Sequence, residues 1–270
     1  MTSFPARLRE AQERAGSVLC VGLDPDPDRL PEAVLHEPSP GEAILAFNRA
    51  LIDATAEYAC AFKLNLAFYE ALGREGWRVL KRTREHIPDG TLVIADAKRG
   101  DIGNSARFYA HALYDELHAD ACTVSPYMGA DSVQPFLEHA GWAAFVLART
   151  TNDGAADFQE RRVDGGEPLY LHVARRASRW SAEASGDAGL VAGATDTEAL
   201  RALREAAPKL PFLIPGIGAQ GGEPRAVMQA ASGGPVIVTS SRSIIYAGDG
   251  SDFPDAAARQ ARQFRDVLIA

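Results

Sequence analysis

Short runs of apolar residues alternate with segments of helical spacing along the whole chain. The runs consist mainly of Val, Ile, Leu, Ala and Cys with few polar residues between them, which is typical of parallel strands covered on both faces. We expect eight such strands, at residues 18–24, 58–65, 91–96, 120–125, 143–148, 189–194, 211–216 and 235–240. Helical spacing is clearest in 197–207, where Leu200 and Leu203 recur on one side, and in 224–231.

Eight strands, each followed by a helical segment, predict an α/β fold of the TIM (β/α)8 barrel type. A further helix at about residues 5–15 precedes the first strand, and we expect it to close the bottom of the barrel. We find no linker, so we expect a single domain over residues 1–270. An open, doubly wound sheet is the alternative, but no G-x-G-x-x-G follows the first strand. The one irregularity is the long connection 149–188, with a predicted helix at 168–183.

The composition of the chain indicates which kinds of binding partner and which location to expect. The chain has 46% hydrophobic and 24% charged residues and a formal net charge of -8, which argues against broad binding of nucleic acid or anionic membranes. We see no apolar signal segment at the N-terminus and no run long enough to span a bilayer. Cys20, Cys60 and Cys122 lie inside apolar runs, so we expect buried, reduced thiols and a cytoplasmic protein. His111 and His118 lack the Cys or carboxylate partners of a recognisable ligand set, so we expect no metal.

One predicted strand ends in an unusual series of charges. The sequence LVIADAKRGDIGNS, residues 92–105, passes from apolar residues to Asp96, Lys98, Arg99 and Asp101. Because side chains alternate along a strand, Asp96 and Lys98 share one face. If that face points into the barrel, the two charges lie side by side at its C-terminal mouth, where barrel enzymes keep their chemistry.

Two further charges are expected at the same mouth. Lys63 lies in the middle of the apolar run CAFKLNLAF, where an unpaired ammonium would be costly to bury. Its partners must be carboxylates of neighbouring strands, and Asp24, at the end of the first strand, and Asp96 are available. Each charge alone has an ordinary explanation, such as a solvated turn or a structural ion pair. Three strands that deliver charge to one end form a pattern typical of functional sites.

Two loops after the last predicted strands carry a different signal. PGIGAQGG, residues 215–222, follows the seventh strand, and TSSRSIIYA, residues 239–247, follows the eighth. Glycines let backbone N–H groups approach an anion, and Arg242 adds a forked donor suited to phosphate oxygens. The glycines alone would also fit tight turns, but Gln220 and Arg242 favour a phosphate site at the place where TIM barrels commonly have one.

These segments together resemble the orotidine 5′-monophosphate decarboxylase family, in the bacterial branch with chains of about this length. The family motif D-x-K-x-x-D-I, with a hydroxyl residue shortly after, matches DAKRGDIGNS. The resemblance continues through VGLDPD, AFKLNLAFYE, TVSPYMG, TTNDGA, PGIGAQGG and SSRSIIYA. It implies conversion of orotidine 5′-phosphate to UMP and CO2, the last step of de novo pyrimidine synthesis, without a cofactor. It also implies a homodimer with shared active sites.

The resemblance assigns residues to the site. The charged catalytic array that it implies is Lys63, Asp96, Lys98 and Asp101, with Lys98 as the proton donor and Asp101 supplied by the other subunit. The substrate-binding residues that it implies are Asp24 near the ribose, Ser125 at the pyrimidine, Gln220 and Arg242 at the phosphate, and also Ser105 and Gly218. Two positions depart from the family pattern. Ser105 stands where many members have Thr, and Ser241 where other members have Gly.

Three other interpretations are open. A metal-dependent sugar-phosphate decarboxylase or aldolase of the same barrel superfamily shares the D-x-K-x-x-D strand end, but the cation of Lys63 would compete with Mg²⁺. Another phosphate-binding barrel isomerase would explain the C-terminal loops but not the charged array. A non-catalytic nucleotide-binding protein would bind its ligand without turnover, and the intact array argues against it.

Overall fold

The computed structural model describes residues 2–163, 165–217 and 223–269. Within these ranges, eight parallel strands form a closed barrel in which each strand pairs with the next along the chain and the last pairs with the first. The strands are β1 (Leu19–Leu23), β2 (Ala61–Asn65), β3 (Leu92–Arg99), β4 (Ala121–Val124), β5 (Ala143–Arg149), β6 (Asp187–Ala192), β7 (Phe212–Pro215) and β8 (Val236–Ser240). The TIM barrel predicted from the sequence is confirmed.

Helices surround the barrel. In the described part of the chain they are α1 (Phe4–Ala15), α2 (Pro40–Thr55), α3 (Leu66–Glu70), α4 (Gly76–His86), α5 (Gly103–His111), α6 (Ala130–Val133), α7 (Leu169–Glu183), α8 (Thr197–Ala206), α9 (Pro224–Ala230), α10 (Arg242–Ile245) and α11 (Phe253–Leu268). Helix α8 illustrates how the sequence specifies them, because Leu200 and Leu203 are both buried on one side. The Asp196 side chain caps its N-terminus by accepting a hydrogen bond from the Ala199 N–H at 2.9 Å.

The lower, N-terminal end of the barrel interior is apolar. Phe4 and Leu8 of α1 are fully buried there among inward-facing side chains of the strands. The Phe4 ring meets Phe145 of β5 edge-on, with ring centroids 5.8 Å apart. The Phe4 N–H also donates to the side chain of Asp187, at the start of β6, over 2.9 Å. Helix α1 therefore closes the bottom of the barrel, as the sequence predicts.

The connection between β5 and β6 adds elements outside the barrel. It contains a 3-10 turn at Asp153–Asp157, an antiparallel ribbon of Arg162–Val163 and Glu167–Pro168, and helix α7. The helix predicted at 168–183 is present and begins one residue later. No helix in the three described ranges is both long and apolar enough to cross a membrane.

Every strand begins and ends within three residues of its predicted bounds, and two of the differences have a clear cause in the pairing. The third, expected at 91–96, continues to Arg99 because it pairs with β4 again after a register shift between Ala95 and Arg99. The sixth begins at Asp187, earlier than expected, because its first residues already pair with β5. The extension of β3 matters for the site, since it holds the segment with the alternating charges.

Candidate active site

Lys63 lies at the centre of the upper end of the barrel. It stands on β2 between Gly22 of β1 and Ile94 of β3, and its side chain is 7% exposed. Its Nζ atom is 3.2 Å from Asp24 Oδ1 and 3.1 Å from Asp96 Oδ2. Burial lowers the pKa of Lys63, but the two carboxylates outweigh burial and hold the pKa above its usual value. The ammonium therefore stays charged and joins the ends of three strands.

Asp96 is shared by two lysines. Its Oδ2 atom accepts from Lys63, while Oδ1 accepts from Lys98 Nζ at 2.7 Å and from the Thr123 hydroxyl at 2.9 Å. Burial raises the pKa of Asp96, but the charges of Lys63 and Lys98 lower it more, so that the pKa is about 2. The carboxylate is therefore ionised at neutral pH.

The two lysines differ in their access to solvent. The Lys63 side chain is 7% exposed, whereas that of Lys98 is 51% exposed, although both bind the same carboxylate. Lys63 is held between Asp24 and Asp96 and lines the cavity between the strand ends and the last loops. Lys98 is the more exposed of the two lysines at the mouth.

The backbone of Lys98 has an unusual conformation. Its φ is 47°, in the left-handed region that residues other than glycine rarely adopt. It lies inside the register shift of β3, and its N–H donates to the Thr123 hydroxyl on β4 over 2.9 Å. Such strain persists only where the surroundings fix it, and it is concentrated at functional sites. The sequence places Asp96 and Lys98 on one face by simple alternation, whereas the structure joins them through this irregularity.

The charged cluster shares a cavity with the loops after β7 and β8. This cavity has a volume of about 200 Å³, and its lining includes Lys63 and Asp96 on one side and Gly216, Ser241 and Arg242 on the other. Arg242 begins α10 and its side chain is exposed. Gly218 and Gln220, two of the predicted phosphate-site residues, lie outside the described residues.

Gly22 lies against Ser241, one of the residues that line this cavity. A Cβ atom on Gly22 would lie 1.8 Å from Ser241 Oγ, so the side chain of Ser241 requires glycine on the neighbouring strand. The side chain of Ser241 is thus accommodated by the missing side chain of Gly22 on β1.

Three predicted residues lie apart from the cluster. Asp101 follows β3, and its Oδ1 accepts the N–H of Ile102 over 2.8 Å rather than meeting Lys98. Ser105 is exposed on the first turn of α5. Ser125 follows β4, where its N–H donates to the Arg99 carbonyl over 2.7 Å, and it lines a second, larger cavity of about 760 Å³ beside α7. Within one chain, the structure therefore brings together Asp24, Lys63, Asp96 and Lys98.

The sequence analysis missed two polar residues of the mouth. Thr123 is 1% exposed and bonds to both Asp96 and Lys98. Asn65, at the end of β2, lines the cavity of about 200 Å³. The available signal was alternation along β4, which places Thr123 on the same face as the inward-pointing Ala121. A threonine in an apolar run is common in buried strands, so this signal alone does not indicate a role.

The donors at this mouth do not form a metal-ligand set. Among residues 2–163, 165–217 and 223–269, no group of three His, Cys, Asp or Glu side chains is arranged to hold a metal ion. The carboxylates of Asp24 and Asp96 do converge, but the ammonium of Lys63 occupies the position between them that a cation would take.

Comparison with known proteins supports the resemblance seen in the motifs. Residues 17–261 match the profile of the Orotidine 5′-phosphate decarboxylase / HUMPS family. The chain is 47% identical to the orotidine 5′-phosphate decarboxylase of Dehalococcoides mccartyi, over 98% of this chain and 97% of that protein. It is 48% identical to the enzyme of that name from Herpetosiphon aurantiacus, over 97% and 96% of the two chains.

A solved structure shows the same similarity in three dimensions. The OMP decarboxylase of Leishmania donovani superposes with a TM-score of 0.84 at 39% sequence identity, with all of both chains covered. Together with the match over residues 17–261, this confirms the prediction made from the motifs. The chain belongs to the orotidine 5′-phosphate decarboxylase / HUMPS family.

Proposed function

We propose that this chain converts orotidine 5′-phosphate to UMP and CO2 with Lys98 as the proton donor. The observation that carries the assignment is the position of the Lys98 ammonium, which is bound to Asp96 at 2.7 Å yet half exposed at the mouth of the barrel. The curated relatives compared above all bear the name of this decarboxylase, and this favours it over the sugar-phosphate enzymes of the same superfamily.

The reaction explains why a charged lysine is needed. When the bond between C6 of the pyrimidine and the carboxyl carbon breaks, CO2 leaves and the electron pair stays on C6 in the plane of the ring. The ammonium of Lys98 stabilises this developing charge and then transfers a proton to C6, which gives UMP and a neutral amine. A proton from solvent restores the ammonium.

Asp96 has two roles in this proposal. It fixes the Lys98 ammonium through Oδ1, and it places a negative charge close to the carboxylate of the substrate. Two like charges at about 4 Å, with an effective dielectric constant of about 20, repel by roughly 4 kcal/mol. Loss of CO2 relieves this repulsion, and the stabilisation by Lys98 adds to it.

In this proposal Lys63 holds Asp96 in place, and Asp24 binds the sugar of the substrate. Lys63 pairs with both carboxylates and, together with Lys98, keeps Asp96 ionised. We assign Asp24 to the ribose. Ser125 is assigned to the pyrimidine, and Ser105 is assigned to substrate binding through its hydroxyl group.

The phosphate group binds on the other side of the cavity. Arg242 provides a permanently charged, forked donor there, and we assign Gly218 and Gln220 of the preceding loop to the same group. Binding energy from this non-reacting phosphate can be used to close the site and orient the pyrimidine against Lys98.

Asp101 completes the array from a second copy of the chain. In one chain it does not reach Lys98, and the segments around it expose large apolar side chains. These exposed residues are Ile102, Phe108, Tyr109, Tyr127, Met128 and Phe158. Apolar side chains of this size on neighbouring segments are typical of a protein–protein interface. In a twofold dimer each Asp101 is delivered to the partner reciprocally.

The remaining assignments concern the chain as a whole. Residues 1–270 form a single catalytic domain, since α1 packs into the barrel and the family match spans most of the chain. The unpaired, buried Cys20, Cys60 and Cys122 support a reducing, cytoplasmic location.

The activity itself is tested by following the loss of orotidine 5′-phosphate by ultraviolet absorbance, with and without EDTA. We expect turnover that EDTA does not change, because Lys63 and Lys98 provide the positive charge at the mouth. Absence of turnover would contradict the proposed reaction. Activity that EDTA abolishes and Mg²⁺ restores would instead support the metal-dependent members of the superfamily.

The shared site is tested by mixing two inactive variants. Asp101→Asn and Lys98→Ala homodimers should each be nearly inactive, whereas one site of a mixed dimer contains both wild-type residues. Random re-association makes about half of the dimers mixed, so roughly a quarter of all sites should recover. The measurement is activity after the variants are unfolded and refolded together, with each variant refolded alone as the control. If different affinity tags show that mixed dimers form and no activity returns, Asp101 does not act across the interface.

A further inference from the structure

Thr123 connects the two residues at which we place the chemistry. It lies on the inner face of β4 and is 1% exposed. Its hydroxyl donates to Asp96 Oδ1 over 2.9 Å and accepts the backbone N–H of Lys98 over 2.9 Å. A hydroxyl group has one hydrogen and two lone pairs, so it makes both bonds at the same time.

Together with the bond between Lys98 and Asp96, these two bonds form a closed ring of contacts that includes Lys98. The Asp96 oxygen that Thr123 binds is the one that receives the Lys98 ammonium at 2.7 Å. Lys98 is therefore held at its backbone by Thr123 and at its ammonium by Asp96, and Thr123 joins the two. The side chain between these points crosses the half-exposed part of the mouth.

The backbone of Lys98 needs such a partner. Its φ of 47° is strained for a lysine, and it falls where β3 loses its regular pairing with β4 between Ala95 and Arg99. In this interval the Lys98 N–H donates to the Thr123 hydroxyl. A side chain of β4 thus binds the backbone of β3 at the point where the regular pairing of the two strands is interrupted.

We propose that Thr123 is a positioning residue of the decarboxylation, one that acts through Lys98 and Asp96 without touching the substrate. The inference rests on the proposed function and adds that the hydroxyl, not the shape, of this side chain sets the orientation of the Lys98 ammonium toward C6. A shift of about 1 Å in a catalytic group lowers a rate about 100-fold. Binding of the phosphate is set by residues on the other side of the cavity, so it does not depend on Thr123.

The test compares Thr123→Val, which keeps the shape and removes the hydroxyl, with Thr123→Ser, which keeps the hydroxyl. We expect Thr123→Val to lower kcat about 10- to 100-fold with KM changed less than about threefold, and Thr123→Ser to retain kcat within about threefold. Thermal unfolding of each variant is measured in parallel. Thr123→Cys, whose thiol is a weak hydrogen-bonding group, takes the place of the Val variant if that variant does not fold.

Thr55→Val is the matched control. Thr55 is also fully buried, and its hydroxyl donates to the Leu51 carbonyl over 2.6 Å within α2, away from the mouth. It should lose stability without a change in kcat. The inference is overturned if Thr123→Val keeps kcat, if only KM rises, or if Thr123→Ser is as slow as Thr123→Val. Inactivity of the wild-type chain would reject the proposed function instead, so the two failures are distinguished.

Discussion

The two ends of the barrel interior are built by the same strands and filled by opposite chemistry. We call Phe4, Leu92 and Phe145 the lower layer, and Lys63 and Asp96 the upper layer. The lower layer is apolar and fully packed, whereas the upper layer is a buried ion pair. Strand β3 contributes to both, with Leu92 and Asp96 on the same inward face. The alternation of side chains along each strand therefore determines which residues point inward. The types of these residues determine whether a layer is an apolar packing layer or a charged one.

The boundary between the layers is sharp. Cys20 of β1 pairs in register with Ala61, two positions before Lys63 on β2. Burial raises the pKa of the Cys20 thiol to about 12, although the nearby Lys63 lowers it. The thiol is therefore neutral and belongs to the apolar part of the interior. The buried charge of Lys63 lies at the level where carboxylates from β1 and β3 can pair with it.

This separation predicts that activity and stability can be removed independently. Lys98→Ala changes the upper end at a half-exposed side chain, so we expect kcat to fall at least ~1000-fold, equivalent to about 4 kcal/mol of transition-state stabilisation. The free energy of unfolding should change by less than about 1 kcal/mol, because the lost pair is partly solvated. Steady-state kinetics and urea unfolding measure the two quantities.

Arg242→Ala is the variant to compare with Lys98→Ala. It should mainly raise KM, because the phosphate is bound in both the ground state and the transition state. Mild and similar effects of the two changes on kcat would contradict the division of roles between Lys98 and Arg242.

The second prediction concerns the lower layer. Phe145→Ala removes a fully buried ring that contacts Phe4, and Gly189 leaves space for that ring because a Cβ there would lie 2.5 Å from it. We expect a loss of about 3–5 kcal/mol in the free energy of unfolding. At a temperature where the variant is folded, kcat should stay within about threefold of wild type.

A surface substitution gives the reference for this effect. Leu35 is 57% exposed, so Leu35→Ala should leave the free energy of unfolding nearly unchanged. If Phe145→Ala is folded and stable but loses kcat as strongly as Lys98→Ala, the two layers are coupled and the separation is wrong.

Much of this arrangement could be predicted from the sequence. The eight apolar runs predicted the barrel, and an inward lysine with carboxylates on neighbouring strands predicted the ion pairs of Lys63. Both predictions depend on alternation within single strands and on the cost of burying an unpaired charge. Both can be recognised within short segments of a single sequence.

Other parts of the site depend on relations between strands. The bond between Thr123 and Lys98 requires the register shift of β3 against β4, which no pattern within either strand reveals. The fit of Gly22 to Ser241 likewise joins β1 to the loop after β8. The proposed role of Asp101 requires a second chain, so it stays a prediction.

The smallest expected effect is a difference between the two layers in how the free energy of unfolding depends on pH. The folded pKa of Asp96 is about 2, below the value of about 3.9 in an unfolded chain, so between these values the unfolded state binds more protons. Its contribution to stability is complete above about pH 5 and is lost as the pH falls toward 2, by up to about 2 kcal/mol. The difference in unfolding free energy between wild type and Asp96→Asn should therefore shrink from about pH 5 to pH 3. The difference between wild type and Phe145→Ala should stay constant, because no titrating group is removed. A constant difference for both variants would show that Asp96 is not held ionised by Lys63 and Lys98.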